Sequence, residues 1–221
     1  MSFIAFEGGE GAGKSTQLRL LAERLRMAGR TVVETREPGG TPQGEALRAL
    51  LVEGEGDRWG APAEALLMNA ARAEHVARVV RPALARGEVV LCDRYAHSTL
   101  AYQGAASGLA REDLLALHRV ATGDLWPDVV LWLDLPAEAG LARAASRGGA
   151  ARFEGRGAAF HAAVREGFAA MAAEDPRIVR VDADQAVELV ADAVWRAVAV
   201  VARPPSTSPL SVPQSLSQPR Q

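Results

Sequence analysis

Five short apolar runs recur along the chain, with longer amphipathic stretches between them: Ser2-Phe-Ile-Ala-Phe-Glu7, Thr31-Val-Val-Glu-Thr35, Glu88-Val-Val-Leu-Cys92, Asp128-Val-Val-Leu-Trp-Leu133 and Arg177-Ile-Val-Arg-Val181. Each has the length of a strand, and most are apolar at successive positions. A strand that is apolar on both sides cannot leave one face to water, so the pattern demands a parallel sheet covered by helices on two faces. The intervening stretches supply those helices. Leu18, Leu21, Leu25 and Ala28 recur at helical spacing with Arg19, Glu23 and Arg26 on the other side, which predicts a helix over 14–28 stopped by Gly29. Further helices are expected over 45–53, 62–86, 110–122, 137–146, 157–174 and 184–202, with a turn-rich loop at 37–41. The reading is an α/β fold of three layers around a five-stranded parallel sheet. Ligands of such sheets bind beyond the carboxyl ends of the strands.

Residues 1–202 read as one domain. Residues 203–221 shift abruptly to Pro, Ser and Gln, a composition that cannot bury a core and predicts a disordered tail. Lys and Arg total 25 against 27 Asp and Glu, a net charge of −2, so the surplus that a nucleic-acid-binding surface needs is missing. Any anion site must be local. No run approaches the ~20 apolar residues of a membrane span, and the N-terminus lacks a basic, then apolar, leader. The single cysteine, Cys92, allows no intrachain disulfide, which fits a reducing, cytoplasmic setting. Among the 25 basic residues only Lys14 is a lysine. A chain that favours arginine everywhere else keeps lysine where a compact ammonium is needed. Asn69 is likewise the only asparagine, and nothing in the sequence says why.

Lys14 lies in Gly8-Gly9-Glu10-Gly11-Ala12-Gly13-Lys14-Ser15, followed by Thr16, which fits G-x-x-x-x-G-K-[ST] at every fixed position between a strand and a helix. The glycines let main-chain amides turn towards phosphate oxygens, and the helix N-terminus adds partial positive charge. Lys14 reaches β- and γ-phosphates, and the Ser15 hydroxyl is a ligand for Mg²⁺. The motif implies a bound nucleoside triphosphate with magnesium. A guanine-specific switch would need an Asn-Lys-x-Asp loop, which the sole asparagine and sole lysine cannot form. A motor or helicase fits neither the length nor the charge. A small-molecule kinase fits better, and it needs a second anion site and a way to exclude water. Asp93-Arg94-Tyr95 follows the third strand directly. There Asp93 can hold Mg²⁺ through water, and Arg94 can clamp a phosphate.

Asp93-Arg-Tyr-Ala-His-Ser-Thr-Leu-Ala-Tyr-Gln-Gly104 resembles the Asp-Arg-Tyr…Ser…Ala-Tyr-Gln-Gly signature of thymidylate kinases. Thr35-Arg-Glu-Pro-Gly-Gly-Thr41 resembles that family's Arg-Glu-Pro-Gly-Gly-Thr loop, and Ala71-Arg-Ala-Glu-His75 its base-reading helix. The fourth strand and its end, Asp128 to Leu135, are similar to that family's Pro-Asp…Leu-Asp strand, and the resemblance runs from residue 3 to about 190. It implies a P-loop fold of the nucleoside monophosphate kinase type and transfer of phosphate from ATP to dTMP, giving dTDP. It also implies roles for particular residues: Arg94 on the acceptor phosphate, Arg72 on the thymine carbonyl, and Glu10 on the deoxyribose 3′-hydroxyl. Tyr102 and Gln103 would line the sugar and base pocket, with Arg36 and Ser98 at its edge. Met68 stands where the family carries a phenylalanine that stacks on thymine.

Arg143, Arg147 and Arg152 surround a small-residue loop that ends near Glu154. This reads as a lid over about 143–155, with arginines suited to charge on transferred phosphate oxygens. Some thymidylate kinases carry a catalytic arginine inside the phosphate loop, where this chain has Gly11. The chain therefore resembles the bacterial subtype that supplies the arginine from the lid, with Arg147 first, then Arg152, and Arg143 towards ATP. Family resemblance also implies a homodimer through helices. The four histidines lack metal-ligand spacing, so zinc is not expected. Two other readings remain open at this level: another nucleoside monophosphate or deoxynucleoside kinase, and a non-catalytic ATP-binding regulatory module.

Overall fold

A computed structural model describes residues 2–53, 58–146, 153 and 155–198. Five strands, β1 (Ser2–Glu7), β2 (Val32–Arg36), β3 (Val89–Asp93), β4 (Val129–Asp134) and β5 (Ile178–Asp182), form one sheet in the order β2-β3-β1-β4-β5. Every pairing is parallel, with Phe3 opposite Val90 and Ile4 opposite Val129. Side chains alternate across the sheet as period-2 geometry requires. On one face Ile4, Phe6, Leu91, Leu131 and Leu133 pack under α1 (Lys14–Met27) and α9 (Val187–Val198). On the other, Phe3, Ala5, Val90 and Cys92 form one cluster and Val130 and Trp132 another. The second face is covered by α3 (Ala61–His75) and its continuation, and by α8 (Ala158–Glu174). The three-layer expectation is met, and each predicted strand lies within one residue of its place.

The helices differ from expectation in three informative places. α2 (Pro42–Val52) starts earlier than residue 45, because the Thr41 side chain caps it by accepting from the Gly44 amide and Pro42 sits in its first turn. The stretch expected as one helix over 62–86 is α3, a π-helical turn at Val76–Val80, and α4 (Arg81–Ala85). Pro82 lacks an amide and crowds the preceding turn, and the wider turn lets the helix pass it. Residues 96–105, unassigned by periodicity, form α5 (Ala96–Thr99) and a second π-helical turn at Leu100–Ala105. So short and widened a helix leaves no 3.6-residue signature. The remaining helices, α6 (Arg111–Thr122) and α7 (Ala137–Ala145), lie as expected. The expected end of the last helix at 199–202, and the tail at 203–221, lie outside the described residues.

Beneath the second face, His97 and His118 are buried around Trp126, with ring centroids 5.2 and 4.1 Å from it. Burial drives their pKa values down, to about 3 for His97 and about 4 for His118. Both are therefore neutral structural groups.

Candidate active site

The carboxyl ends of β1, β2 and β3 open onto a cleft of about 720 Å³. β1 ends at Glu7, and the chain turns through Gly8–Gly13 into α1. Two glycines are dictated by contact as well as conformation. Gly8, at φ 134°, would place a Cβ 2.4 Å from the Leu133 carbonyl oxygen, and Gly11, at φ 68°, would place one 2.0 Å from the Gly140 carbonyl oxygen on α7. The loop is thus clamped between the end of β4 and the body of α7. The Lys14 ammonium is buried and donates to the Gly8 and Gly9 carbonyls at 3.2 and 2.7 Å. Burial, reinforced by Arg94 and partly offset by Glu10, lowers its pKa to about 8.

The Ser15 hydroxyl donates to Asp93 Oδ2 at 2.5 Å. These two oxygens bring the first turn of α1 to the tip of β3. One hydroxyl and one carboxylate are hard oxygen donors of the kind that would hold Mg²⁺.

Next in the chain, Arg94 has the left-handed φ of 69°, uncommon for a residue with a side chain. Its guanidinium crosses the cleft floor. Nη1 donates to the Gly8 carbonyl at 2.8 Å and to Ser98 Oγ at 3.1 Å, and Nη2 pairs with Glu10 Oε1 at 2.9 Å. The Tyr102 hydroxyl donates to the same Glu10 oxygen at 3.0 Å. Burial works against the Glu10 charge, but Arg94 and Lys14 outweigh it and hold the pKa at about 2. Beneath them Glu7, fully buried, accepts from the Tyr95 and Ser98 amides and from Ser98 Oγ at 2.6 Å. Burial pushes its carboxyl up to about 7 against those hydrogen bonds. Glu7 thereby fixes the turn that carries Arg94.

At the far end of the cleft Arg72 is 2% exposed, with all three nitrogens engaged. Nε donates to Glu37 at 2.7 Å, Nη1 to Asn69 at 3.1 Å and Nη2 to Thr99 at 3.0 Å. His75 Nδ1 lies 2.7 Å from the other Glu37 oxygen, and Arg72 and His75 together hold that carboxyl below the usual range despite burial. Gln103 Nε2 donates to the buried Glu64 at 3.0 Å, and Glu64 also pairs with Arg156 at 2.9 Å.

The cleft thus gathers Glu10 through Thr16, Arg36, Met68, Arg72, Asp93, Arg94, Ser98, Tyr102 and Gln103, residues the sequence had assigned from four separate segments. Arg36 lines its rim in an exposed pair with Glu45 at 2.9 Å. Arg143 stands apart from it, bonded to Asp184 at 2.9 Å and the Ala183 carbonyl at 3.1 Å beyond the end of β5. Arg147, Arg152 and Glu154 lie outside the described residues. Sequence reasoning missed Glu7, Glu64 and Thr99, and it quoted Glu37 and His75 within motifs without giving them a role. Their signal is spatial, because each acts on a side chain from another element. It also missed Arg48, which reaches the cleft from α2 and donates to the Pro38 carbonyl at 2.8 Å.

A phosphate loop at the tip of the central strand, facing an arginine-floored pocket across a magnesium-type hydroxyl–carboxylate pair, defines a P-loop phosphotransferase of the nucleoside monophosphate kinase type. The family model described as thymidylate kinase matches residues 6–194. A thymidylate kinase of Caulobacter vibrioides is 55% identical over 193 residues, covering 87% of this chain and 93% of the relative. One from Thermomicrobium roseum is 54% identical over 209 residues, covering 94% and 99%. The crystal structure of thymidylate kinase from Ehrlichia chaffeensis superposes with a TM-score of 0.73 at 30% identity, covering 89% of this chain and 98% of that one. The chain belongs to the thymidylate kinase family, and it is an enzyme that phosphorylates dTMP.

Proposed function

We propose that the chain transfers the γ-phosphate of Mg²⁺-bound ATP in line to the 5′-phosphate of dTMP, releasing dTDP and ADP. The observation that carries this reading is Glu10. Its carboxylate sits in the phosphate loop yet is held by Arg94 and Tyr102 of the acceptor side, at 2.9 and 3.0 Å. Donor and acceptor sites are therefore parts of one cleft. Lys14 and the loop amides hold the β- and γ-phosphates, and Ser15 and Asp93 hold Mg²⁺, directly or through water. Arg94 orients the acceptor phosphate, so little covalent chemistry falls to the protein. Arg72 reads a thymine carbonyl, and Tyr102 crowds the place a ribose 2′-hydroxyl would take. Gln103 and Met68 bound the base, with Arg36 and Ser98 supporting the pocket edge.

The transition-state arginine comes from the lid, Arg147 first and Arg152 second. Supporting this is Gly11, where even a Cβ would stand 2.0 Å from the Gly140 carbonyl, leaving no space for an arginine at that position. The enzyme works as a cytoplasmic homodimer through its helices. In favour are Leu50, Leu66 and Val120, exposed on α2, α3 and α6, and the absence, among the described residues, of any helix long and apolar enough to cross a membrane. Light scattering should then return about twice the chain's 23.3 kDa.

An ADP-release assay over a panel of nucleoside monophosphates tests the whole reading. Selective turnover of dTMP supports it. Equal rates with dCMP or dGMP would replace it with a broader nucleotide kinase.

A further inference from the structure

The only asparagine of the chain sits one residue after Met68, on the inner face of α3, and is 5% exposed. Asn69 Nδ2 donates to the Ala65 carbonyl, one turn back, at 2.8 Å, and its Oδ1 accepts from Arg72 Nη1 at 3.1 Å. Those two partners fix the amide's orientation, because a flipped amide would set oxygen against carbonyl and donor against donor. A guanidinium has five N–H donors. In Arg72 one goes to Glu37, one to Asn69 and one to Thr99. One N–H is left on each terminal nitrogen, and Arg72 lines the cleft. The Tyr95 ring lies under the guanidinium, 5.2 Å from Cζ.

Glu37 grips only the Nε edge and Thr99 only Nη2. Without Asn69 the Nη1 corner would carry two uncommitted donors, free to meet acceptors in other directions. The neighbouring Met68 lines the cleft with a flexible thioether, so the register of a base there rests more heavily on hydrogen bonding. We propose that Asn69 is a positioning residue for base selectivity: it holds Arg72 so that a fixed pair of donors faces a pyrimidine carbonyl, and a base presenting an amino group at that point is disfavoured. This rests on the reading of Arg72 as the base contact.

The test compares Asn69→Leu, near-isosteric but without an acceptor, Asn69→Asp, which keeps one, and Arg72→Ala. Steady-state kinetics are measured with dTMP and with dCMP at saturating MgATP, and thermal melts verify folding. Asn69→Leu should raise KM for dTMP about tenfold, leave kcat within about twofold, and shrink the preference for dTMP over dCMP about tenfold. Asn69→Asp should stay within about threefold of the parent in both. Where the leucine variant does not fold, Asn69→Ala makes the same comparison.

Parental KM and selectivity in a folded Asn69→Leu enzyme, with Arg72→Ala impaired, would overturn the role of Asn69 alone. An aspartate variant as impaired as the leucine one would overturn it too, by tracing the effect to the Ala65 contact. Arg72→Ala with parental KM and selectivity would instead overturn the base contact itself.

Discussion

The two halves of the cleft are built by opposite means. The half we read as the donor site is nearly all main chain: eight consecutive residues, Gly8 to Ser15, wrapped between Leu133 and Gly140, with one buried ammonium closing the ring. The half we read as the acceptor site is nearly all side chain. Arg72 from α3 is held by Glu37 from the loop after β2, by Thr99 from α5 and by Asn69. Arg94 from the tip of β3 is held by Glu10 and Ser98. A backbone site is constrained by close main-chain approach, within the loop and at the glycine packed on it. A site of interlocked buried charges transmits the loss of any member, because the partner left behind is a buried charge without compensation.

That contrast can be broken at the donor end first. Lys14→Arg should lower kcat by at least about 10³-fold although charge is kept, because the broad guanidinium does not fit a slot shaped for a point charge; near-parental turnover would sink the reading of the lone lysine. On the acceptor side, Glu37→Ala should cost about 3–5 kcal/mol of stability by stranding Arg72, read as a shift in denaturation midpoint. A change below 1 kcal/mol would mean that the network is loosely coupled. Arg147→Ala should lower kcat about 10²-fold or more with little change in KM for dTMP, and an effect confined to KM would move the transition-state arginine elsewhere.

Two pH profiles sharpen the comparison further. The Lys14 ammonium, with its pKa lowered to about 8, is charged below that value. As pH rises through about 8, kcat/KM for MgATP should fall towards tenfold per unit; a flat profile to pH 9.5 would contradict it. Stability, by contrast, should fall on the acid side. The folded pKa values of His97 and His118, about 3 and about 4, lie below the ordinary 6.5, so the unfolded chain binds nearly two more protons there between pH 5 and 5.5. Glu7, raised from 4.5 to about 7, opposes this with one extra proton in the folded state. The net is about one proton, so stability should drop by roughly 1.4 kcal/mol per unit of acidification in that window. Replacing both histidines by glutamine should reverse the sign of that slope, leaving Glu7 in control.

The same contrast explains what could be read in advance. The three central strands were legible because their apolar runs are contiguous and a covered parallel sheet admits few alternatives, and the edge strands β2 and β5, interrupted by Glu34 and Arg180, followed from their places between helices. The donor site was legible because one octapeptide contains it. The helical segment over 96–105 was not, since its widened turn breaks the period while contacts with α3, α6 and α8 hold it in place. Arg72 could be assigned by resemblance, yet nothing along the chain pointed to what holds it. Glu37 and His75 are far from Thr99 along the chain, and Asn69 stood out only by its rarity.

Gly11 and Gly140 touch through bare main chain on both sides: a Cβ on Gly140 would lie 2.3 Å from the Glu10 carbonyl oxygen, as one on Gly11 would lie 2.0 Å from that of Gly140. A side chain at either glycine would therefore have to part the loop from the helix. The spacing of the phosphate loop from α7 is thus set by two side chains that are not there, and neither position can gain one unless the other element moves.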